Sequence, residues 1–282
     1  MLEIIKSIIY GIVEGITEWL PISSTGHLLL VEQFLPFKNV SEGFFGLFDV
    51  VIQLGAILAV VVLFWNKIWP FAFTKKQKEV PNVKGIIRMD IMTMWFKIVV
   101  ACIPAVIIGG LFDDVFEALF YNPVCIAIAL IVFGIAFIIV ENVNKDKHFK
   151  INDVAEITYM TALIIGCFQV LAAVFPGTSR SGATIIGALI IGVSRTVAAE
   201  FTFYLAIPVM FGASLLKVLK FDGGLAGNEI VYIVMGMVVS FLVSIFVLRF
   251  LMNYIKKHDF KVFGWYRIVL GIIVLVIFGL FL

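Results

Sequence analysis

Six stretches of this chain are apolar for long enough to cross a bilayer, and that constrains the fold more than any motif. A helix rises about 1.5 Å per residue, so a hydrocarbon core of about 30 Å calls for roughly twenty apolar residues. Hydropathy places such runs at 47–65, 97–112, 122–140, 200–216, 230–248 and 267–282. Composition agrees, with 62% hydrophobic and 14% charged residues, whereas soluble domains run to about a quarter charged. The sequence predicts an all-α integral membrane protein forming one membrane domain over 1–282. Cys102, Cys125 and Cys167 lie far apart inside apolar segments. They read as small core residues, neither a disulfide framework nor a zinc site.

Two further regions, 2–35 and 157–194, are apolar but interrupted. Each is broken by a proline in a run of small polar residues: Pro21-Ile22-Ser23-Ser24-Thr25-Gly26-His27 and Pro176-Gly177-Thr178-Ser179-Arg180-Ser181-Gly182. Irregular backbone at membrane depth is tolerated only where protein buries it or a wet cavity lies beside it. A re-entrant helical hairpin therefore fits each region better than full crossings. The first stretch carries Glu14 and Glu18 and runs directly into its motif, so it does not read as a cleavable signal.

Loop charge sets an orientation. Lys67, Lys75, Lys76, Lys78, Lys84, Arg88 and Lys97 mark 66–97 as cytoplasmic, and Asp113, Asp114 and Glu117 suit an external loop. Lys145, Lys147 and Lys150 return inside. Arg249, Lys256, Lys257 and Lys261 also fall inside, but only if 157–194 does not cross. Both termini are then external. Gly11, Glu14 and Pro21 share their mutual spacing with Gly166, Gln169 and Pro176, each shifted by 155 residues. We read an inverted-topology repeat: repeat one over 1–140, a cytoplasmic connector over 141–156, and repeat two over 157–282.

Glu14 and Glu18 are one helical turn apart on one face. Two carboxylates at membrane depth are costly unless hydrated, paired or bound to a cation. They read as an interfacial solvated pair, as a hard-cation site for Mg²⁺ or Ca²⁺, or as acid/base groups. Ser23, Ser24 and Thr25 open the next helix, where hydroxyls and amides make an anion site. A hydroxyl nucleophile needs a base, and His27 is close enough to be one; one of Ser23 and Ser24 caps the helix, which leaves the other free to attack. Arg180 is flanked only by apolar helices, and its planar fork matches phosphate or a carboxylate partner, Glu14 or Glu18. Gly177, Thr178, Ser179 and Ser181 surround it as in an anion nest, and Thr184 and Gln169 join the phosphate-binding candidates.

Glu14-Gly15-Ile16-Thr17-Glu18, Pro21 to His27 and Pro176 to Thr184 resemble the signature blocks of the bacterial undecaprenyl-diphosphate phosphatases of the bacitracin-resistance type. The resemblance spans nearly the whole chain, including Val51 to Gly55 and Gly192 to Arg195. It implies removal of the terminal phosphate from undecaprenyl diphosphate, recycling the lipid carrier of cell-wall synthesis and conferring bacitracin resistance. It also implies a site open to the outer face of the bacterial plasma membrane and a divalent-cation requirement. The functional positions would be Glu14, Glu18, Ser24, His27, Ser179, Arg180 and Thr184. Whether Ser24, His27 or water attacks stays open. The rival is a lipid flippase or anion transporter, since inverted repeats with broken helices serve carriers. The expected partners are the polyprenyl lipid, membrane lipid and a second copy in a homodimer. The short basic loops give no reason to expect nucleic acid.

Overall fold

The computed structural model describes residues 1–73, 83–145 and 147–281. Its helices are α1 (Leu2–Thr17), α2 (Ser24–Phe34), α3 (Phe44–Leu63), α4 (Trp65–Ile68), α5 (Met89–Phe120), α6 (Pro123–Val143), α7 (Tyr159–Val174), α8 (Arg180–Ile190), α9 (Arg195–Leu219), α10 (Gly227–Tyr254) and α11 (Lys261–Phe281). A two-residue β1 (Val83–Lys84) and β2 (Ile87–Arg88) make the one small hairpin among the described residues. Among the described residues, six helices are long and apolar enough to span a membrane: α3, α5, α6, α9, α10 and α11. The fold is all-α, as expected.

Each spanning helix extends past its hydropathy window at one end or both, by as much as eight residues in α5. Asn122 caps α6 by accepting from Cys125 N at 2.9 Å, with Pro123 supplying the preset first turn. The expected acidic loop at 113–121 is instead the last part of α5, which runs on to Phe120. No glycine or proline interrupts that segment, and Phe112, Phe116 and Phe120 pack at successive turns. The expected 66–97 loop likewise shrinks. Lys67 lies in α4, and Lys97 is buried in α5, donating to the Ala155 carbonyl at 3.1 Å. Lys75, Lys76 and Lys78 lie outside the described residues.

The two interrupted regions are both hairpins whose ends meet. Lys6 donates to the Pro36 carbonyl at 2.5 Å and Tyr10 to that of Leu35 at 3.4 Å, so the start of α1 lies beside the end of α2. Ile151 bridges Val193, and Ser194 N donates to the Ile151 carbonyl at 2.9 Å, so the α7–α8 unit closes in the same way. The packing of these units is reciprocal: α1 lies along α10, α7 lies along α5, and α6 pairs with α11. Gly11 and Gly166, equivalent in the two units, each permit a close approach. A side chain at Gly11 would meet the Gly236 carbonyl of α10 at 2.5 Å, and one at Gly166 would collide with the Ala101 carbonyl of α5.

Helix α8 sits at the centre, with Ser181 through Leu189 all buried. Gly182, Ala183, Gly187 and Ala188 make it thin enough to be enclosed on every side. The outer faces carry exposed Val106, Leu111, Leu242, Phe246 and Val276, as lipid contact requires.

Candidate active site

Where α1 ends at Thr17 and α7 ends at Val174, the chain turns sharply and starts α2 and α8. Both turns close on a serine in a backbone region that side chains seldom enter. Ser23 has φ 73° and ψ 103°, and Ser179 has φ 69° and ψ 118°. Such residues cost on the order of 1–3 kcal/mol and persist only where their surroundings hold them. Each serine then caps the helix that follows: Ser23 Oγ accepts from Gly26 N at 3.4 Å, and Ser179 Oγ from Gly182 N at 3.2 Å. Ser24 and Arg180 are therefore the first residues of α2 and α8, beside the positive ends of two helix dipoles.

Both residues reach one carboxylate. The Ser24 hydroxyl donates to Glu18 Oε2 at 2.9 Å, and Arg180 Nη2 pairs with Glu18 Oε1 at 2.9 Å. Ser181 Oγ donates to the Glu18 carbonyl at 3.3 Å and exchanges a bond with Ser179 Oγ at 3.1 Å. Arg180 Nη1 donates to the Thr202 carbonyl on α9 at 3.3 Å, while Thr184 and Thr202 share a hydroxyl bond of 2.9 Å. The Arg180 and Glu18 side chains are only 13% and 10% exposed, so the pair is largely desolvated yet reachable.

His27 takes a different place from the one expected of a base for Ser24. Its Nδ1 lies 2.7 Å from the Ser23 carbonyl, which can only accept, so that nitrogen carries a proton. Its Nε2 lies 2.7 Å from Tyr266 Oη on α11. Both ring nitrogens are engaged away from the serine. Glu14 is fully buried and neither of its carboxylate oxygens finds a partner among the described residues. Gln169, its counterpart in the second unit, is also buried, with both amide atoms unpartnered among the described residues. Thr178 is buried, its hydroxyl without a partner among the described residues; Gly177 holds φ 90° in the turn, and Thr25 is half-buried in the first turn of α2.

A cation fits this donor set in one way. Glu14 offers two unused carboxylate oxygens beside Glu18, the pattern in which Mg²⁺ takes one or two carboxylates and completes its shell with substrate phosphate. No group of three His, Cys, Asp or Glu side chains among the described residues is arranged as a protein-only metal cage.

Three participants were not singled out from sequence: Thr202, Tyr266 and Arg267. A signal existed for Arg267, because an arginine inside an apolar span is a functional flag. Its position at the edge of the 267–282 window disguised it as a terminal charge.

The family model described as bacitracin resistance protein BacA matches residues 7–273. The chain belongs to that family. A protein of Desulfitobacterium hafniense is 59% identical over 280 residues, covering 99% of this chain and 97% of its own length. One from Enterococcus faecalis is 60% identical over 276 residues, covering 98% and 97%. One from Lachnoclostridium phytofermentans is 61% identical over 273 residues, covering 97% and 96%. All three are named undecaprenyl-diphosphatase.

Proposed function

We propose that this chain is an undecaprenyl-diphosphate phosphatase, hydrolysing the terminal phosphate of a polyprenyl diphosphate where its two broken helices meet. The observation that carries the reading is the single Glu18 carboxylate, bound at once by the Ser24 hydroxyl and the Arg180 guanidinium at the heads of two helices. A carboxylate at 2.9 Å from a serine hydroxyl is within reach to take its proton. An arginine at the same carboxylate is within reach of charge developing on the attacked phosphate. The full-length likeness to proteins of that name supports the substrate.

The terminal phosphate lies against the amides of both turns and the Arg180 fork. Ser24 Oγ attacks its phosphorus as the proton passes to Glu18. The bond to the bridging oxygen breaks, and the lipid monophosphate leaves with the proton that Glu18 took from Ser24, so that Glu18 is again a carboxylate. Proton transfer also discharges Glu18, which frees Arg180 for the phosphoryl oxygens as their charge grows. Water then attacks the phosphoserine, giving its proton to Glu18, and inorganic phosphate departs as Ser24 regains its hydrogen. His27, held by Ser23 and Tyr266, keeps the first turn of α2 in place. A divalent cation held by Glu14 and Glu18 would supply further neutralisation of the diphosphate.

Phosphate release by the purified protein in detergent tests the reading, because no transport occurs there. We expect release of inorganic phosphate, abolished by excess chelator. A preparation that binds the lipid diphosphate and releases nothing would favour a flippase or anion carrier; release undiminished in chelator would remove the cation.

We further propose that both hairpins are re-entrant, that the two halves are inverted copies, and that the site opens to the outer face of the plasma membrane. The meeting ends of each hairpin, the reciprocal packing of α1 with α10 and α7 with α5, and the capping serines at φ near 70° support this. Single cysteines at 117, 145 and 256, in a chain whose native cysteines are replaced, check it. Label applied outside should reach 117 alone. Positions 145 and 256 on opposite faces would mean that α7–α8 crosses, and label at 145 but not 117 would reverse the orientation.

A further inference from the structure

Arg267 is fully buried in the last helix, and its three hydrogen bonds among the described residues all go to backbone carbonyls, none to a carboxylate. A guanidinium at membrane depth without a counter-charge is expensive, so its placement asks for a reason. Its acceptors supply one. Nη1 donates to the Pro21 carbonyl at 3.2 Å, Nη2 to the Gly177 carbonyl at 2.9 Å and Nε to the Leu130 carbonyl at 3.4 Å. A broken helix leaves carbonyls that lipid cannot satisfy, and Arg267 takes one from each of the two breaks.

The positions of those carbonyls matter more than their number. Pro21 stands three residues before Ser24, and Gly177 stands three residues before Arg180. Ser24 and Arg180 both bind Glu18. The contacts form a closed circuit: Glu18 to Ser24, back along the first turn to Pro21, through one guanidinium to Gly177, along the second turn to Arg180, and again to Glu18. Arg267 is also pressed against the head of α8, since a side chain at Gly182 would come within 3.2 Å of its Nη1. The Phe133 ring lies 5.9 Å from its guanidinium carbon, near the outer limit of a cation–π contact.

We infer that Arg267 is the positioning residue of this enzyme, a planar clamp that fixes the distance between the two broken turns and so the register of Ser24 against Arg180. The inference rests on the phosphatase reading for its kinetic arm and not for its structural arm. The fork suits the task where lysine does not, because two donors at a fixed spacing must meet two carbonyls from separate segments.

Arg267→Lys and Arg267→Met are compared with the wild-type chain in detergent. Turnover should fall at least tenfold for the lysine variant and on the order of a hundredfold for the methionine variant, the usual consequence of an ångström-scale misplacement. KM for the lipid diphosphate should stay within about threefold, since Arg267 does not touch the phosphate. Methylguanidine should restore part of the turnover lost in Arg267→Ala. In parallel, spin labels on cysteines at Leu20 and Phe175 read the separation of the turns directly, and that distance distribution should broaden or shift in both variants. Wild-type kcat in Arg267→Lys, or an affected KM with unchanged kcat, would overturn the assignment. Should Arg267→Met fail to fold, the lysine variant decides. If the wild-type chain releases no phosphate, the function reading fails, and the label distances alone decide the clamp; an unchanged distribution overturns it.

Discussion

Arg180→Lys is expected to lower turnover by on the order of a hundredfold or more, although the positive charge is kept. The two terminal nitrogens of Arg180 are committed to different partners, Glu18 Oε1 at 2.9 Å and the Thr202 carbonyl at 3.3 Å. A compact ammonium on a shorter stem meets one of these and loses the planar fork that matches phosphate. The competing reading is that Arg180 only neutralises Glu18 in a largely desolvated pair. Breaking such a pair from one side costs roughly 3–5 kcal/mol, so each variant must be shown to fold. The double variant Glu18→Gln with Arg180→Met separates the two readings. It removes both charges together and should restore the melting temperature while staying inactive. Near-wild-type turnover in Arg180→Lys would instead make the arginine a structural partner.

Ser24→Ala is expected to have the larger effect, a loss on the order of a thousandfold or more, as removal of a nucleophile produces. Binding of the lipid diphosphate should be largely preserved, because Arg180, Ser181 and the amides of both helix heads remain. Glu18→Gln should follow with a loss of about a hundred- to ten-thousandfold, the range over which a general base contributes. His27→Ala should cost less than Glu18→Gln. The reason is geometric: Glu18 Oε2 lies 2.9 Å from Ser24 Oγ, whereas both imidazole nitrogens of His27 are occupied by Ser23 and Tyr266. The reverse order would return the histidine to the role of base. Substantial turnover in Ser24→Ala would leave Ser24 as the first residue of a helix and hand the attack to water or His27. Trapping labelled phosphate on the protein after a rapid quench, in wild type and not in Ser24→Ala, completes the test.

Much of this was legible in the residues alone, and the legible part shares one physical character. Transfer of a side chain into lipid, the breaking of a helix by proline and the capping of a helix by serine are local events. They depend on a residue and its near neighbours. Hydropathy accordingly found all six spanning helices, and Pro21 and Pro176 marked both breaks. The four-residue spacing of Glu14 and Glu18 and the run from Pro176 to Thr184 marked two segments that the fold brings together at Glu18 and Arg180. Misreadings arose where a local rule was applied to a non-local question. Lys97 was counted with a basic loop but is buried in α5, and the acidic segment after 112 continues as helix because nothing in it ends one.

Tertiary structure alone decided which side chains share a partner. Glu18 and Arg180 are separated by 162 residues, His27 and Tyr266 by 239, and Arg267 lies 246 residues from Pro21 and 90 from Gly177. No periodicity or spacing carries such pairings, because they follow from how α1 and α7 lie against α10 and α5, and from α11 packing on α6. Sequence determined that this chain has six membrane-spanning stretches, breaks two further helices and loads the breaks with carboxylate, hydroxyl and guanidinium. Only packing determined that one carboxylate serves both breaks and that a buried arginine from the last helix holds them together. In lipid, every polar group released by a break must be satisfied by another part of the protein, and the chain's fold selects which part is near.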